Sequence, residues 1–105
     1  MQKLDVVGRL FPQILSGEKT STIRWKELRI VPGLMTYVNE DDPSHTAVVL
    51  VTKCTDLVLS DAAGYLGKQE IWPDETMLEG MREHYPEIEL TSQIQVIEHL
   101  SPAQT

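Results

Sequence analysis

Residues 14–24 read Ile14-Leu15-Ser16-Gly17-Glu18-Lys19-Thr20-Ser21-Thr22-Ile23-Arg24, and they contain a sharp change of local structure. The preceding residues, from Phe11 to Ser16, are predicted to form a short helix that Gly17 ends as a C-terminal cap. A strand is predicted from Thr20 to Trp25 because β-branched and aromatic residues dominate there. Alternation along that strand places three polar side chains on one face: Thr20, Thr22 and Arg24.

The chain has 105 residues, of which 41% are hydrophobic. A chain of this length buries roughly 60–70% of the surface that it exposes when unfolded, which is enough for one core without disulfides. We therefore expect a single domain over residues 1–105. The last residues, from Ser101 to Thr105, are predicted to be a frayed tail.

Charge and hydropathy argue against several classes of protein. The net charge of -7 repels a polyanion, so a stable complex with nucleic acid is not expected. The longest apolar run, Ala47 to Val51, is far shorter than the roughly 20 residues that cross a bilayer. The residues after Met1 do not form the apolar core of a signal peptide. We expect a cytoplasmic protein without a membrane partner.

The metal-binding residue types are scattered. Cys54 is the one cysteine, and the three histidines (His45, His84 and His99) lack the close spacing from which zinc sites are built. A metal site is therefore not expected, although the scattered carboxylates leave magnesium open as an alternative. No other cofactor is expected either.

The rest of the chain reads as short strands and helices separated by turn signals. Strands are predicted by β-branched content at Leu34 to Asn39, Thr46 to Leu59 and Gln93 to Leu100, the first two as antiparallel neighbours. Helices are predicted to begin at Asp61, capped by Ser60, and after a cap at Asp74. In the second helix, four residues with helical spacing are expected to face the core: Met77, Leu78, Met81 and Tyr85. This pattern predicts an α+β fold, a small barrel of five or six strands with two or three short helices.

Lys19 and Thr22 place an amine and a hydroxyl close together in the sequence. Residues 17–20 do not form a phosphate-binding loop, because no glycine directly precedes Lys19 and a strand follows where that loop needs a helix. From residue types alone, such a pair is most often a solvated lysine beside an ordinary strand threonine.

The stretch 14–24 resembles the signature of the ASCH superfamily, small barrel proteins related in fold to the PUA RNA-binding domain. Gln69-Glu70 before an amphipathic helix, Tyr85-Pro86 at its end and Val96-Ile97-Glu98 in the last strand resemble the bacterial branch that hydrolyses N(4)-acetylcytidine. The stretch from Trp25 to Asp42 matches no such pattern.

This resemblance implies three catalytic residues: Lys19 as proton acceptor, Thr22 as nucleophile and Glu70 as proton donor. A threonine hydroxyl needs a base within about 2.6–3.2 Å, and Lys19 can serve only when its amine is neutral. Arg24 is a candidate substrate-binding residue, or else a residue that forms an ion pair or a brace inside the barrel. An alternative role for Thr22 is to position a water that Lys19 activates.

The implied reaction is a metal-independent hydrolysis of a linear amide, releasing cytidine and a carboxylic acid in the salvage of modified nucleosides. Its partner would be a small, neutral nucleoside, and other N(4)-acylcytosine compounds are expected substrates. Four aromatic residues are candidates for stacking on the base, although each is also a candidate core residue: Trp25, Tyr37, Tyr65 and Trp72. Two alternatives stay open, an RNA-binding or RNA-cleaving ASCH module and a non-enzymatic nucleoside sensor. The sequence does not determine the oligomeric state.

Overall fold

The computed structural model describes residues 1–105 and contains one five-stranded mixed sheet with the strand order β1-β3-β4-β5-β2. The strands span Gln2–Val6 (β1), Ser21–Arg24 (β2), Gly33–Asn39 (β3), Thr46–Val58 (β4) and Gln93–His99 (β5). The helices span Phe11–Ser16 (α1), Leu59–Tyr65 (α2) and Asp74–Arg82 (α3), and 3₁₀ turns lie at Gly8–Leu10 and Pro102–Gln104.

Strand pairing agrees with the sequence-based prediction where one was made. β3 and β4 are antiparallel, with Gly33 opposite Val51 and Val38 opposite Thr46. The apolar run in β4 occupies a central position in the sheet, as its continuous hydrophobicity predicts. β1 was not predicted, and it pairs in parallel with β3 at one edge of the sheet.

The chain divides into two compact units, each with its own hydrophobic core. The first unit comprises residues 1–22, 29–54 and 97–105, and the second comprises residues 23–28 and 55–96. The single-domain assignment therefore stays a prediction.

The core of the first unit is built from alternating positions of its strands together with one face of α1. In β3, Met35 and Tyr37 are fully buried while Leu34 is exposed, and in β4 the buried Val49 lies next to the exposed Val48. Ile14 of α1 and Ile97 of β5 complete this core with no exposed surface. Successive side chains along these strands thus alternate between the core and solvent, as expected for half-buried strands.

The core of the second unit lies around α2, α3 and the first part of β5. Met77 is buried and Leu78 and Met81 pack against the same cluster, so the predicted apolar face of α3 is confirmed for these three residues. Tyr85 also packs there, but it lies beyond the end of the helix at Arg82. The predicted caps are wrong by one or two residues. α2 begins at Leu59 after Val58, and α3 begins at Asp74 after Pro73, both without a side-chain cap.

The predicted frayed tail is also wrong, because residues 101–105 are held by hydrogen bonds. The Ser101 N–H and hydroxyl both donate to the side-chain oxygen of Gln104, as part of a capping box. The Thr105 hydroxyl donates to Ser101 O at 2.9 Å and accepts from the Leu50 N–H at 2.9 Å. These side-chain bonds give the segment an ordered backbone that composition alone did not reveal.

We expect Met35→Ala to lower the free energy of unfolding by about 2–5 kcal/mol, because it removes a fully buried side chain from a packed core. The neighbouring Leu34→Ala, on the exposed side of the same strand, should change it by about 0.5 kcal/mol or less. Urea denaturation of both variants measures the difference, and equal losses would contradict the assignment of faces in β3.

Gly17→Ala should destabilise the protein by about 1–2 kcal/mol, because Gly17 has a φ of 83° and an added Cβ would lie 3.0 Å from the Ser101 Cβ. Gly80→Ala is the matched control, since Gly80 lies in α3 with open space around it. Alanine there should stabilise the protein by about 0.4–1 kcal/mol. Thermal unfolding should therefore move in opposite directions for the two variants, and a shared direction would argue against the left-handed turn.

Candidate functional site

Lys19 lies in the turn between α1 and β2, and hydrogen bonds hold both its backbone and its side chain. Its backbone N–H donates to Gln13 O at 3.0 Å, and its side-chain Nζ donates to Ser21 O at 2.6 Å. The side chain is half-buried. The turn that follows Gly17 therefore fixes where the amine lies relative to the first residue of β2.

Thr22 is the second residue of β2 and is only 6% exposed. Ser21 before it is also buried, at 8%. Two consecutive small hydroxyl residues are thus withdrawn from solvent at the start of an edge strand. No buried side-chain nitrogen or oxygen in the chain lacks a hydrogen-bond partner, as burial of polar groups requires.

A buried pair that the sequence did not reveal, Tyr37 and His99, lies in the same unit as Lys19 and Thr22. The Tyr37 hydroxyl and His99 Nε2 are 2.8 Å apart, and His99 Nδ1 is 2.8 Å from Leu100 O. Because a carbonyl oxygen only accepts, Nδ1 carries the proton, and Nε2 of the neutral ring accepts from the tyrosine hydroxyl. The pair therefore selects one tautomer of His99.

His99 is linked to the Lys19 turn through its backbone and through charge. Its N–H donates to Thr20 O at 3.0 Å. Burial lowers the pKa of His99 below its usual range, and the positive charge of Lys19 lowers it further, whereas the hydrogen bond to Leu100 opposes both effects. His99 is consequently held as a neutral imidazole near a cationic side chain.

Arg24 lies in the second unit, where its guanidinium forms an ion pair with Glu27. Nη1 donates to Glu27 Oε1 at 3.4 Å, and the Arg24 side chain is 13% exposed. The Tyr85 hydroxyl donates to the other Glu27 oxygen, Oε2. Sequence reasoning identified Arg24 and missed Glu27, although a carboxylate three residues after an arginine is a signal for such a pair.

Burial raises the pKa of Tyr85 to about 12, and the hydrogen bond and negative charge of Glu27 act in the same direction. The charge of Arg24 and a backbone hydrogen bond with Trp25 oppose this shift. Tyr85 therefore keeps its proton, and with it the bond to Glu27, throughout the neutral pH range.

Glu70 lies in the second unit, in the turn between α2 and α3, with its side chain exposed to solvent. Lys19 and Thr22 thus share the first unit, while Arg24 and Glu70 belong to the second. The catalytic and binding roles implied for these four residues stay predictions.

Among the aromatic candidates for base stacking, Tyr37 is fully buried and bonded to His99. Trp25 and Trp72 pack against the second core, and each has a lysine ammonium over its ring, Lys26 at 4.5 Å and Lys68 at 4.8 Å. Tyr65 is 37% exposed, and its hydroxyl is 3.2 Å from the Thr55 hydroxyl. Three of the four rings therefore contribute to a core.

Two further features of the chain bear on function. No three His, Cys, Asp or Glu side chains lie together in an arrangement that could hold a metal ion. None of the helices combines the length and the apolar character needed to span a membrane.

The stability of the protein should depend on pH through His99. Its pKa in the folded protein lies below the ordinary value of 6.5, so the unfolded chain takes up the proton at a higher pH than the folded chain. The stability supported by the neutral ring is therefore fully present above about pH 6.5 and is lost as the pH falls below that value.

Urea denaturation between pH 7.5 and 5.5 tests this expectation by comparing the parent with His99→Gln. The stability advantage of the parent should shrink on acidification, and an advantage that stays constant would refute the assignment. In a nuclear magnetic resonance titration, Lys19→Met should raise the pKa of His99, because the substitution removes a neighbouring positive charge.

A comparison with solved structures shows which fold this chain shares. It is similar to the protein in the crystal structure of the ZmASCH S128A mutant from Zymomonas mobilis, with a TM-score of 0.67 over 92% of this chain and 8% sequence identity. The chain spans 65% of the length of that Zymomonas chain. No family model matches the chain, and no curated protein matches it either. The likeness confirms the predicted α+β architecture: the chain has the PUA-like fold of an ASCH protein.

Proposed function

We propose that this protein is an amidohydrolase that converts N(4)-acetylcytidine, and other N(4)-acylcytosine nucleosides, to cytidine and a carboxylic acid. The observation that carries the proposal is the arrangement at the start of β2. There the Lys19 amine is fixed 2.6 Å from Ser21 O, and the next residue is the buried Thr22. An amine held in the turn and a buried hydroxyl near the start of the following strand are the parts that nucleophilic attack on an amide requires.

In the first half-reaction, the Thr22 oxygen attacks the acyl carbonyl carbon while the Lys19 amine takes the hydroxyl proton. The amide C–N bond then breaks, and N4 of the leaving cytidine receives a proton. Glu70 is assigned to deliver that proton, and this assignment rests on the family resemblance. Glu70 lies exposed in the turn before α3.

In the second half-reaction, water attacks the acyl-threonine ester. The Glu70 carboxylate recovers a proton from that water, and the Lys19 ammonium returns its proton to the Thr22 oxygen. The products are cytidine and the carboxylic acid, so atoms and protons balance with water as the only co-substrate. This cycle uses general acid–base steps and covalent catalysis, and it draws on no metal or cofactor.

The neutral state of His99 stabilises the ammonium that Lys19 becomes after it accepts the proton, and the proposed cycle begins from the neutral amine, a minor form of a lysine at neutral pH. When Lys19 accepts a proton it becomes a cation, and a second cation close to it would oppose that step. Desolvation is the main cause that keeps the buried ring of His99 uncharged, and it acts against the bond to Leu100, so the ring does not add a competing charge at neutral pH. The net charge of -7 also favours a small neutral substrate over RNA.

Hydrolysis of N(4)-acetylcytidine, followed by ultraviolet absorbance, tests the proposal. Lys19→Met, Thr22→Val and Glu70→Gln should each lower kcat/KM by at least about 100-fold, because each removes a group that moves a proton or forms the acyl bond. A chelator should leave the rate of the parent unchanged.

Matched controls separate lost chemistry from lost structure. Lys3→Met, Thr20→Val and Glu75→Gln change exposed residues of the same types, and they should retain the parent rate. An acyl adduct on Thr22, detected by mass spectrometry, would distinguish the nucleophile from a residue that positions water. A folded parent that releases no cytidine yet retains a labelled RNA would replace the amidohydrolase with an RNA-binding module.

A further inference from the structure

A second polar cluster, Arg24, Glu27 and Tyr85, lies within the second unit and is not used by the proposed proton transfers. Glu27 is its centre, because one carboxylate oxygen accepts from Arg24 and the other accepts from Tyr85. The Glu27 and Tyr85 positions are 58 residues apart in the sequence, so tertiary packing alone brings them together.

The segment that carries Glu27 is under backbone strain. Lys26 has a φ of 56°, and it is the one residue other than glycine with a positive φ. A left-handed conformation costs a side-chain-bearing residue roughly 1–2 kcal/mol, so it persists only where neighbouring contacts enforce it. The left-handed turn at Lys26 brings the Glu27 carboxylate next to the Arg24 guanidinium.

Contacts on both sides of Lys26 hold this reversed segment. The Trp25 ring packs edge-on against Tyr85, with ring centroids 6.0 Å apart, and the Lys26 ammonium lies 4.5 Å from the Trp25 centroid. Tyr85 therefore anchors Trp25 through its ring and Glu27 through its hydroxyl. A residue three positions after the end of α3 thereby fixes the loop that follows β2.

The pairing changes what the Arg24 guanidinium can recognise. A guanidinium that is already matched by a carboxylate still has N–H donors, but it has little net charge to offer an anion. A phosphate brought to this place would also meet the Glu27 carboxylate, whose Coulomb repulsion opposes binding. A carbonyl oxygen meets no such penalty. The cluster is therefore suited to an uncharged acceptor.

We propose that Glu27, anchored by Tyr85, is a positioning residue that orients Arg24 towards an uncharged part of the substrate and disfavours substrates bearing a phosphate. This inference rests on the proposed function, which takes Arg24 as the substrate-binding residue. It narrows the substrate class of that function to acylated nucleosides, as opposed to the corresponding nucleotides.

The test compares kcat/KM for N(4)-acetylcytidine with that for its 5′-monophosphate. The parent should prefer the nucleoside, and Glu27→Gln should reduce that preference by about fivefold, as expected for removing one charge at a distance of several ångströms from a dianion. Glu79→Gln makes the same change of net charge at an exposed position of α3 and should leave the preference unchanged. An equal effect of both substitutions would reduce the inference to a general effect of net charge and overturn it.

A double-mutant cycle identifies the route of the effect. Tyr85→Phe should raise KM for the nucleoside about threefold to tenfold with little change in kcat, since it loosens a binding group without touching the reacting atoms. In an Arg24→Gln background, neither Tyr85→Phe nor Glu27→Gln should have a further effect on KM or on the preference. Effects that persist in that background would show that the cluster does not act through Arg24.

Two readouts separate this inference from the proposed function. The phenol absorbance of Tyr85, isolated by subtraction of Tyr85→Phe, should titrate at about 12 in the parent and at a lower pH in Glu27→Gln. Binding of cytidine and cytidine 5′-monophosphate, followed by Trp25 fluorescence in a Trp72→Phe protein, measures the same preference without turnover. A parent that binds with the expected preference but does not hydrolyse would overturn the proposed reaction and support the inference. Hydrolysis with no effect of Glu27→Gln on the preference would support the reaction and overturn the inference.

Discussion

The left-handed backbone at Gly17 is the constraint on which the first unit depends. It ends α1 after Ser16, with its N–H bonded to Ile14 O at 3.2 Å, and it turns the chain so that Lys19 N–H reaches Gln13 O. Lys19 and β2 follow from that reversal. The space beside Gly17 is occupied by Ser101, so the ordered C-terminal segment also depends on the absence of a side chain at residue 17.

Each compact unit has one polar cluster that gives the protein its electrostatic character, and the first cluster is buried whereas the second is partly exposed. In the first unit, burial and the Lys19 charge hold His99 neutral, while its ring is hydrogen-bonded to Tyr37 and to Leu100. In the second, Glu27 matches the charge of Arg24 and keeps the Tyr85 hydroxyl protonated. Both arrangements reduce the number of unpaired charges, which are most costly where solvent is excluded.

The shared fold and the proposed chemistry rest on different grounds. The fold follows from strand order and core packing, and those features persist at sequence identities too low to carry a reaction from one protein to another. The proposed reaction depends instead on a few side chains: Lys19, Thr22, Arg24, Glu27, Glu70 and Tyr85. A protein that kept the sheet but lost these residues would have the same architecture with a different function.

The sequence by itself determined the elements whose signals are local. Helix α1 with its Gly17 cap, strands β3 to β5 and the apolar face of α3 follow from spacing and β-branched content, and their bounds agree within one or two residues. Strand β1 was missed because its alternation of Lys3 and Asp5 with Leu4 and Val6 covers only five residues. Only the tertiary structure decided the partners of Tyr37 and Tyr85, which lie 62 and 58 residues from His99 and Glu27. The reason is physical: a hydrogen bond between distant residues depends on how whole strands and helices pack, and that packing leaves no periodic pattern in the sequence around either partner.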